Sequence, residues 1–196
     1  MKVGIAVLIL LILAFEVTAQ ESMFSITWDI GMPVGDTHDF VHDLSWRGAG
    51  LEYRKFVMPE VSVGFSWHWN TFFETTDRTF RIENGHVSGT QDRRIEASPI
   101  LTSAYYHFQT MDDPNIRGYA GLGLGAYWIS QRLDVGLLVF EEENWHFGMA
   151  PEVGVTVPTG WESHLLAAVR YNYAFEGSGS TAHAYWSFML GLSYID

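Results

Sequence analysis

The sequence predicts an all-β protein: an eight-stranded antiparallel up-and-down transmembrane β-barrel, preceded by a cleaved signal peptide. Three observations support this fold class. Apolar and polar residues alternate with period two over eight segments, aromatic residues are frequent, and short connections alternate with longer ones. No segment after the first 20 residues has 18 consecutive apolar residues, so the sequence predicts no transmembrane helix.

The first nineteen residues have the features of a secretory signal peptide. Lys2 supplies a positive charge, an apolar run covers residues 3–15, and small residues precede a cleavage site after Ala19. The alternative is an uncleaved anchor, but this run is shorter than the roughly 20 residues that a spanning helix needs. We therefore predict a signal peptide over residues 1–19 and one outer-membrane β-barrel domain over residues 20–196.

Four segments with a clear or partial period of two make up the first half of the predicted barrel, at residues 23–33, 46–57, 61–72 and 95–108. The opposite register stays open for the fourth strand, because both of its faces carry apolar residues. The more apolar faces of the four strands are, in order, Phe24, Ile26, Trp28, Ile30 and Met32; Ala49, Leu51 and Tyr53; Val61, Val63, Phe65, Trp67 and Trp69; and Ile100, Thr102, Ala104, Tyr106 and Phe108.

The second half of the chain shows the same alternation at residues 116–129, 145–157, 163–175 and 184–195. On the fifth strand, the polar face carries Gly121, Gly123 and Gly125, which leave space for large side chains from other strands. The apolar faces of these four strands are, in order, Ala120, Leu122, Leu124, Ala126 and Trp128; Phe147, Met149, Pro151, Val153 and Val155; Leu165, Ala167, Val169, Tyr171 and Tyr173; and Trp186, Phe188, Leu190, Leu192 and Tyr194.

The connections between these segments predict how the barrel is oriented. Outer-membrane barrels have short periplasmic turns and longer external loops, and here the short connections all contain proline. We therefore predict a location in the outer membrane with both termini in the periplasm. The longer connections are residues 35–45, 73–93, 130–144 and 176–183, and the short ones are residues 58–60, 109–115 and 158–162.

Composition narrows the class of protein further. Hydrophobic residues make up 47% of the chain and aromatic residues 15%, which suits a barrel with aromatic belts at both membrane interfaces. The chain has no cysteine, so its stability does not depend on disulfides. A net charge of −12 argues against nucleic acid as a partner, because phosphates need a basic face.

Alternation alone does not say which face lies inside, since a soluble lipocalin-like barrel would put the apolar face around a ligand. The polar face decides in favour of the membrane, because it carries two acidic and two basic residues that can pair inside a barrel. Three histidines fall on the same face and could pair with these carboxylates. The predicted polar network of the lumen is Glu52, Arg54, His68, His146, Glu152, His164 and Arg170.

Four motifs, in this order and spacing, are LEYR at 51–54, VSVG at 61–64, YAGLGLG at 119–125 and WHFGMAPEVG at 145–154. The chain resembles bacterial outer-membrane β-barrel domains of the OmpX/OmpA-transmembrane type over nearly all of its mature length. The resemblance implies an eight-stranded barrel with a filled polar interior, no cofactor, and a role in adhesion, surface contact or envelope integrity. It further implies a monomer in outer-membrane lipid, served during biogenesis by periplasmic chaperones and the barrel assembly machinery.

Two groups of residues invite a chemical function. His38 and His42, with three aspartates nearby, could hold a divalent cation, but their spacing matches no closed metal site and favours a solvated acidic loop. His86 and Ser88 resemble the His-x-Ser arrangement of outer-membrane lipid A deacylases. They fall in a polar loop without an obvious orienting carboxylate, so a lipid-modifying enzyme stays an alternative, as does a narrow pore.

An apolar run in the predicted external loop at 130–144 is a candidate contact site for an unknown extracellular partner. Exposed apolar surface often marks a contact site, and an exposed strand edge can accept an added strand from a partner. The alternative is that strands five and six continue upward and pair with each other. The candidate contact residues are Val135, Leu137, Leu138 and Phe140.

Overall fold

The computed structural model describes residues 21–82, 85–109, 116–135, 138–177 and 180–196, with the backbone alone for residues 77–82 and 85–90. The predicted signal peptide at residues 1–19 lies outside the described residues. The elements, in chain order, are β1 (Ser22–Val34), α1 (Asp36–Phe40), β2 (Ser45–Met58), β3 (Val61–Ile82), β4 (Gly85–Gln109), β5 (Arg117–Val135), β6 (Leu138–Pro158), β7 (Ser163–Ala174) and β8 (His183–Ile195).

The eight strands form a closed antiparallel barrel, which confirms the predicted fold class. Each strand pairs with the next along the chain, and β1 pairs with β8 to close the ring. Ser22 and Asp196 exchange two backbone hydrogen bonds of 2.8 and 2.9 Å, so the pairing of β1 with the chain at β8 extends as far as these two residues. We call the end that holds these two residues the terminal end, and the opposite end the extended end. Among the described residues, no helix is long and apolar enough to cross a membrane.

Four strands are longer than the sequence predicts. The β3–β4 and β5–β6 pairs continue far beyond the barrel wall, where their backbones remain paired across each hairpin. The prediction of loops at 73–93 and 130–144 is therefore wrong over the described residues, and the alternative of continuing strands is correct for β5 and β6. The sequence of these hairpins does not alternate between apolar and polar residues as that of a half-buried strand does, so its periodicity does not predict them.

The predicted apolar faces point out of the barrel, and the polar faces point into it. Ile26 is 56% exposed and Leu192 64%, whereas Arg54 is fully buried. The fourth strand has the register with Ile100 and its alternate neighbours outward. Exposed aromatic residues form one ring near the terminal end (Phe24, Tyr53, Tyr106, Phe108 and Tyr194) and another near the extended end (Trp28, Trp46, Trp67, Trp69, Trp145, Phe147 and Trp186).

Candidate functional site

The centre of the barrel holds a closed network of charged side chains. Arg54 on β2 donates hydrogen bonds to Glu52 at 2.8 Å and, across the lumen, to Glu152 on β6 at 2.9 Å. Arg170 on β7 is the register partner of Glu152 and donates to it from Nε at 2.7 Å. No more than 2% of any of these four side chains is exposed. Two carboxylates and two guanidinium groups balance, which is what buried charges require.

Two tyrosines on neighbouring strands complete this central network. The hydroxyl of Tyr105 donates to Glu52, and that of Tyr119 donates to Glu152 at 2.8 Å. The guanidinium group of Arg54 lies 3.7 and 4.1 Å from the centroids of the two rings, in cation–π contact with both. Neither tyrosine is among the predicted lumen residues, although Tyr119 alternates with the apolar face of its strand in the same way as Gly121.

Glycines on the inner face make room for the large side chains of the lumen. A Cβ atom at Gly121 on β5 would lie 2.2 Å from the ring of Tyr105 on β4. A Cβ atom at Gly50 on β2 would lie 2.1 Å from the imidazole of His68 on β3. Both positions therefore need a residue without a side chain, and Gly121 provides the space that the sequence predicts for a neighbouring strand.

The three predicted lumen histidines lie apart from the central network. His68 shares a 2.6 Å hydrogen bond with Asp29 on β1, and His146 contacts the carbonyl oxygen of Phe175 at 2.9 Å. His164 is the second residue of β7, near the terminal end. In the described structure, none of the three shares a hydrogen bond with the carboxylates of the central network.

The segment between β1 and β2 (residues 35–44), which we call the cap, closes the lumen at the extended end. The segment after β1 folds into the barrel mouth, where the hydroxyl oxygen of Thr37 accepts the backbone N–H of Ala184 at 2.9 Å. Val41 is fully buried in an apolar cluster with Phe72 and Tyr185. The prediction of a solvated acidic loop is therefore wrong at Thr37 and Val41, although the aspartates of this segment are exposed. A single buried valine in a short polar segment has no periodic pattern that would reveal its burial.

The cap is also tied to the strands that extend past the barrel. Glu74 on β3 accepts hydrogen bonds from the backbone N–H of His42 at 2.7 Å and from its imidazole at 3.0 Å. Arg93 on β4 donates to the carbonyl oxygen of Phe40 at 3.1 Å. Burial raises the pKa of Glu74, but the hydrogen bonds from His42 and Thr76 outweigh it and lower this pKa to about 2.

The two histidines of the cap contact each other. The rings of His38 and His42 meet edge to face with centroids 4.8 Å apart. Across the residues that the structure describes, no three histidine, cysteine, aspartate or glutamate side chains come together as they would around a metal ion.

Beyond the barrel, β3 to β6 continue as a four-stranded sheet, which we call the protruding sheet (residues 71–82, 85–96, 130–135 and 138–144). Over the described residues, each of its two outer strands has one edge with which no other strand pairs. Pairing of β6 with β7 ends at Gly148 and Ala174, followed by one hydrogen bond of 2.9 Å from the N–H of Phe175 to the carbonyl oxygen of Phe147. Pairing of β3 with β2 reaches no further than Asn70 and Gly48.

A groove of about 510 Å³ lies between α1 and the β5–β6 hairpin of the protruding sheet. Phe40, Leu133 and Phe140 line it, and polar residues of β5 and β6 form its rim. Of the predicted contact residues, Leu138 and Phe140 are 61% and 58% exposed at the start of β6, and Val135 ends β5. Leu137 lies outside the described residues.

The residues of the predicted enzyme alternative lie in the β3–β4 hairpin. The backbone of His86 pairs with that of Arg81, and the backbone of Ser88 pairs with that of Thr79. Their side chains lie outside the described part of the chain. The segment belongs to β4 and is not the predicted loop.

Comparison with solved structures shows that this fold is shared with bacterial outer-membrane proteins. The attachment invasion locus protein Ail of Yersinia pestis matches with a TM-score of 0.57 at 15% identity, over 91% of this chain and 100% of that chain. Neisserial surface protein A matches with a TM-score of 0.56 at 12% identity, over 90% of this chain and 97% of that chain. The N-terminal barrel domain of OprF from Pseudomonas aeruginosa matches with a TM-score of 0.52 at 14% identity, over 90% and 99%. No protein-family model and no curated protein sequence matches this chain.

Proposed function

We propose that this protein is a non-enzymatic barrel of the outer membrane that contacts a partner outside the cell through its protruding sheet. The observation that carries this proposal is the sheet itself. It projects past the aromatic ring at the extended end, opposite the chain termini, and it combines free strand edges with exposed apolar residues. Such surface usually serves a contact rather than the fold.

The outward face of the barrel supports a membrane location. A band of exposed aliphatic residues such as Ile26, Leu122 and Leu190 separates the two aromatic rings. This arrangement suits a hydrocarbon layer with an interface on each side. In water the same band would be a very large apolar patch, which soluble monomers rarely expose. With the termini in the periplasm, the extended end faces the outside of the cell.

The filled lumen supports a closed barrel rather than a pore. The charged network fills the middle, the cluster around Val41 fills the extended end, and a second apolar cluster around Met23 and Leu166 fills the terminal end. An eight-stranded barrel has an interior just wide enough for its own side chains. The central carboxylates bind arginines, which supports a structural role for them rather than acid–base catalysis.

Ail, one of the proteins with a similar fold, has been solved in complex with the heparin analogue sucrose octasulfate. A sulfated ligand does not suit the present chain, whose net charge is −12. The shared fold therefore supports a surface role, while the charge favours a different class of partner.

The orientation can be tested by cysteine labelling, because the natural chain contains no cysteine. We expect a membrane-impermeant maleimide to label Glu142→Cys on intact cells, since Glu142 is exposed on the protruding sheet. Glu60→Cys, in the turn at the terminal end, is the matched control and should react only after the outer membrane is permeabilised. Labelling of both variants on intact cells, or of neither, would contradict the proposed orientation.

The contact function can be tested by shortening the β5–β6 hairpin. Replacing residues 130–143 by an Asn-Gly turn should leave the faster gel migration of unboiled protein unchanged, because Ile129 and Asn144, which would flank the turn, are already paired in the barrel wall. Adherence of the cells to an epithelial monolayer, or to cells of the same strain, should be lost. Unchanged adherence in both assays would overturn the contact function while leaving the membrane location untouched.

A further inference from the structure

We propose that the free edge of β6, with the groove beside it, binds a cationic extended polypeptide segment as an added β-strand. The inference rests on the proposed function, because it requires the protruding sheet to face the outside of the cell.

The backbone of β6 offers unused hydrogen-bonding groups on the side away from β5. Phe147 accepts the N–H of Phe175, so the odd-numbered residues of β6 direct their backbone groups to that side. Because the direction alternates along a strand, Val139, Glu141 and Glu143 also direct their N–H and C=O groups there. In the described part of the chain, no strand pairs with these three residues on that side.

The length of this open edge defines the length of the segment that it could take. The chain after β7 lies beside β6 at its barrel end, where a Cβ atom on Gly177 would be 3.6 Å from the carbonyl oxygen of Trp145. The edge over residues 138–144 lies beyond this contact. An added strand of about seven residues would therefore fit, which is within the usual range of strand lengths.

The groove provides a place for an apolar side chain of the added strand. Even-numbered residues of β6, including Phe140, face the same side of the sheet as Leu133 on β5, and Phe40 closes the groove from the cap. A strand that pairs with β6 would direct every second side chain to this side. The volume of the groove, about 510 Å³, lies within the range of pockets that bind small ligands, so a large aliphatic or aromatic side chain would fit.

Charge identifies the class of segment that the edge would accept. Glu141, Glu142 and Glu143 are consecutive and exposed along the open edge. The nearest described cation, Arg132, is 4.0 Å from Glu141 but hydrogen-bonds Asp134 at 3.0 Å. The edge is therefore acidic overall, and lysine or arginine side chains of a partner strand would complement it.

The same charges argue against a second copy of this chain as the occupant. Two β6 edges that paired antiparallel would bring six glutamates together across one ladder, and like charges on paired strands are destabilising. Edge charges of this kind protect a protein from pairing with itself while leaving the edge open to a strand of opposite charge.

The test uses the full barrel in nanodiscs of zwitterionic phosphatidylcholine, so that lipid charge does not attract the probe. The probe is a fluorescent seven-residue peptide in which lysine alternates with valine and phenylalanine, and binding is followed by anisotropy. We expect saturable binding that weakens with salt. A peptide with glutamate in place of lysine, and one with the same composition but no alternation, should bind at least about tenfold more weakly if both charge and strand register matter.

Three variants separate the parts of the site. Glu141→Gln, Glu142→Gln and Glu143→Gln together should weaken binding about tenfold, whereas a matched set at Asp39, Asp43 and Glu176 should have a smaller effect. Val139→Pro removes an edge N–H and should weaken binding with the charges unchanged. Phe140→Ala should weaken binding through the groove, and Trp161→Ala, a fully exposed residue at the terminal end, is its control.

The outcomes distinguish this inference from the proposed function. Equal binding by the triple glutamine variant and the natural chain, or equal binding of the alternating and non-alternating peptides, would overturn the inference. If Glu142→Cys is nevertheless labelled on intact cells and shortening of the β5–β6 hairpin abolishes adherence, the proposed function stands and only the partner class is wrong. If the edge binds no peptide but adds a copy of itself once the glutamates are replaced, the charges serve to protect the edge.

Discussion

Strands β3 to β6 run through both the barrel and the protruding sheet, but the two regions use their side chains in opposite ways. In the barrel every strand has two neighbours, and charged residues such as Arg54 are buried and paired in the lumen. In the protruding sheet β6 has one neighbour, and the charges beside its free edge, like the apolar side chain of Phe140, are exposed. Where β6 continues past the barrel wall it has a neighbouring strand on one side only. Its backbone groups on the other side are not used by the fold and remain open to a partner.

The two regions also differ in what an ion pair contributes. Arg54 and Glu152 are fully desolvated and hydrogen-bonded at 2.9 Å. Arg94 and Glu96 are 3.7 Å apart near the start of the protruding sheet, with 48% and 27% of their side chains exposed. Removing one partner of a buried pair leaves an uncompensated charge, whereas exposed pairs contribute little because water screens them.

The largest expected effect is the loss of stability on breaking the central network. We expect Arg54→Ala to lower the free energy of unfolding by about 3–5 kcal/mol, because it leaves Glu52 and Glu152 with one arginine between them. Arg94→Ala, the matched change outside the barrel, should lower it by less than about 1 kcal/mol. Urea unfolding in detergent micelles, followed by tryptophan fluorescence, measures both. Equal losses would mean that the two regions do not differ in this way.

A smaller and more local effect is expected at the cap. Val41→Asp puts a charge into the apolar cluster at the extended end and should release the cap from the barrel mouth. Chymotrypsin should then cut the folded protein at Phe40, while the barrel stays closed by gel mobility. Leu44→Asp is the matched control, since Leu44 is already 47% exposed and should not change the cleavage. Cleavage that is the same in both variants would show that burial of Val41 does not hold the cap.

The smallest effect concerns pH and the contact between the cap and the protruding sheet. Glu74 has a pKa of about 2 in the folded chain against an ordinary value of 4.5, so its contribution is complete above pH 4.5 and is lost as the pH falls towards 2. Hydrogen exchange of the His42 amide should therefore be protected more in the natural chain than in Glu74→Gln at neutral pH.

This difference in protection should be smaller near pH 2, where about half of the Glu74 carboxylates are protonated. The amide of Val41, which donates to the carbonyl oxygen of Thr37 at 3.0 Å, is the internal control, because no carboxylate accepts its hydrogen bond. A difference at His42 that did not change between pH 7 and pH 2 would contradict the assignment to Glu74.

Much of the barrel could be predicted from the sequence because apolar and polar residues alternate within each strand, and this alternation shows which residues face outward and which face inward. Trp186 and Phe188 alternate with Ser187 and Met189, and the structure puts the first pair outward and the second pair inward. A barrel wall half in contact with an apolar layer requires that alternation over its full height. The partners within the lumen were less predictable, because Arg54 and Glu152 are 98 residues apart and meet only when the ring closes.

By itself the sequence determined the eight strands, the face that each one turns outward, and the presence of balanced charges on the inner face. The tertiary structure alone decided three further features: the extension of β3 to β6 as a paired sheet, the burial of Val41 in the cap, and the enclosure of Arg54 by Tyr105 and Tyr119. The physical reason is the range of the interactions. Alternation reports the environment of each residue locally, whereas pairing beyond the barrel, capping and cation–π contacts depend on residues that are distant in the chain and come together only in the closed ring.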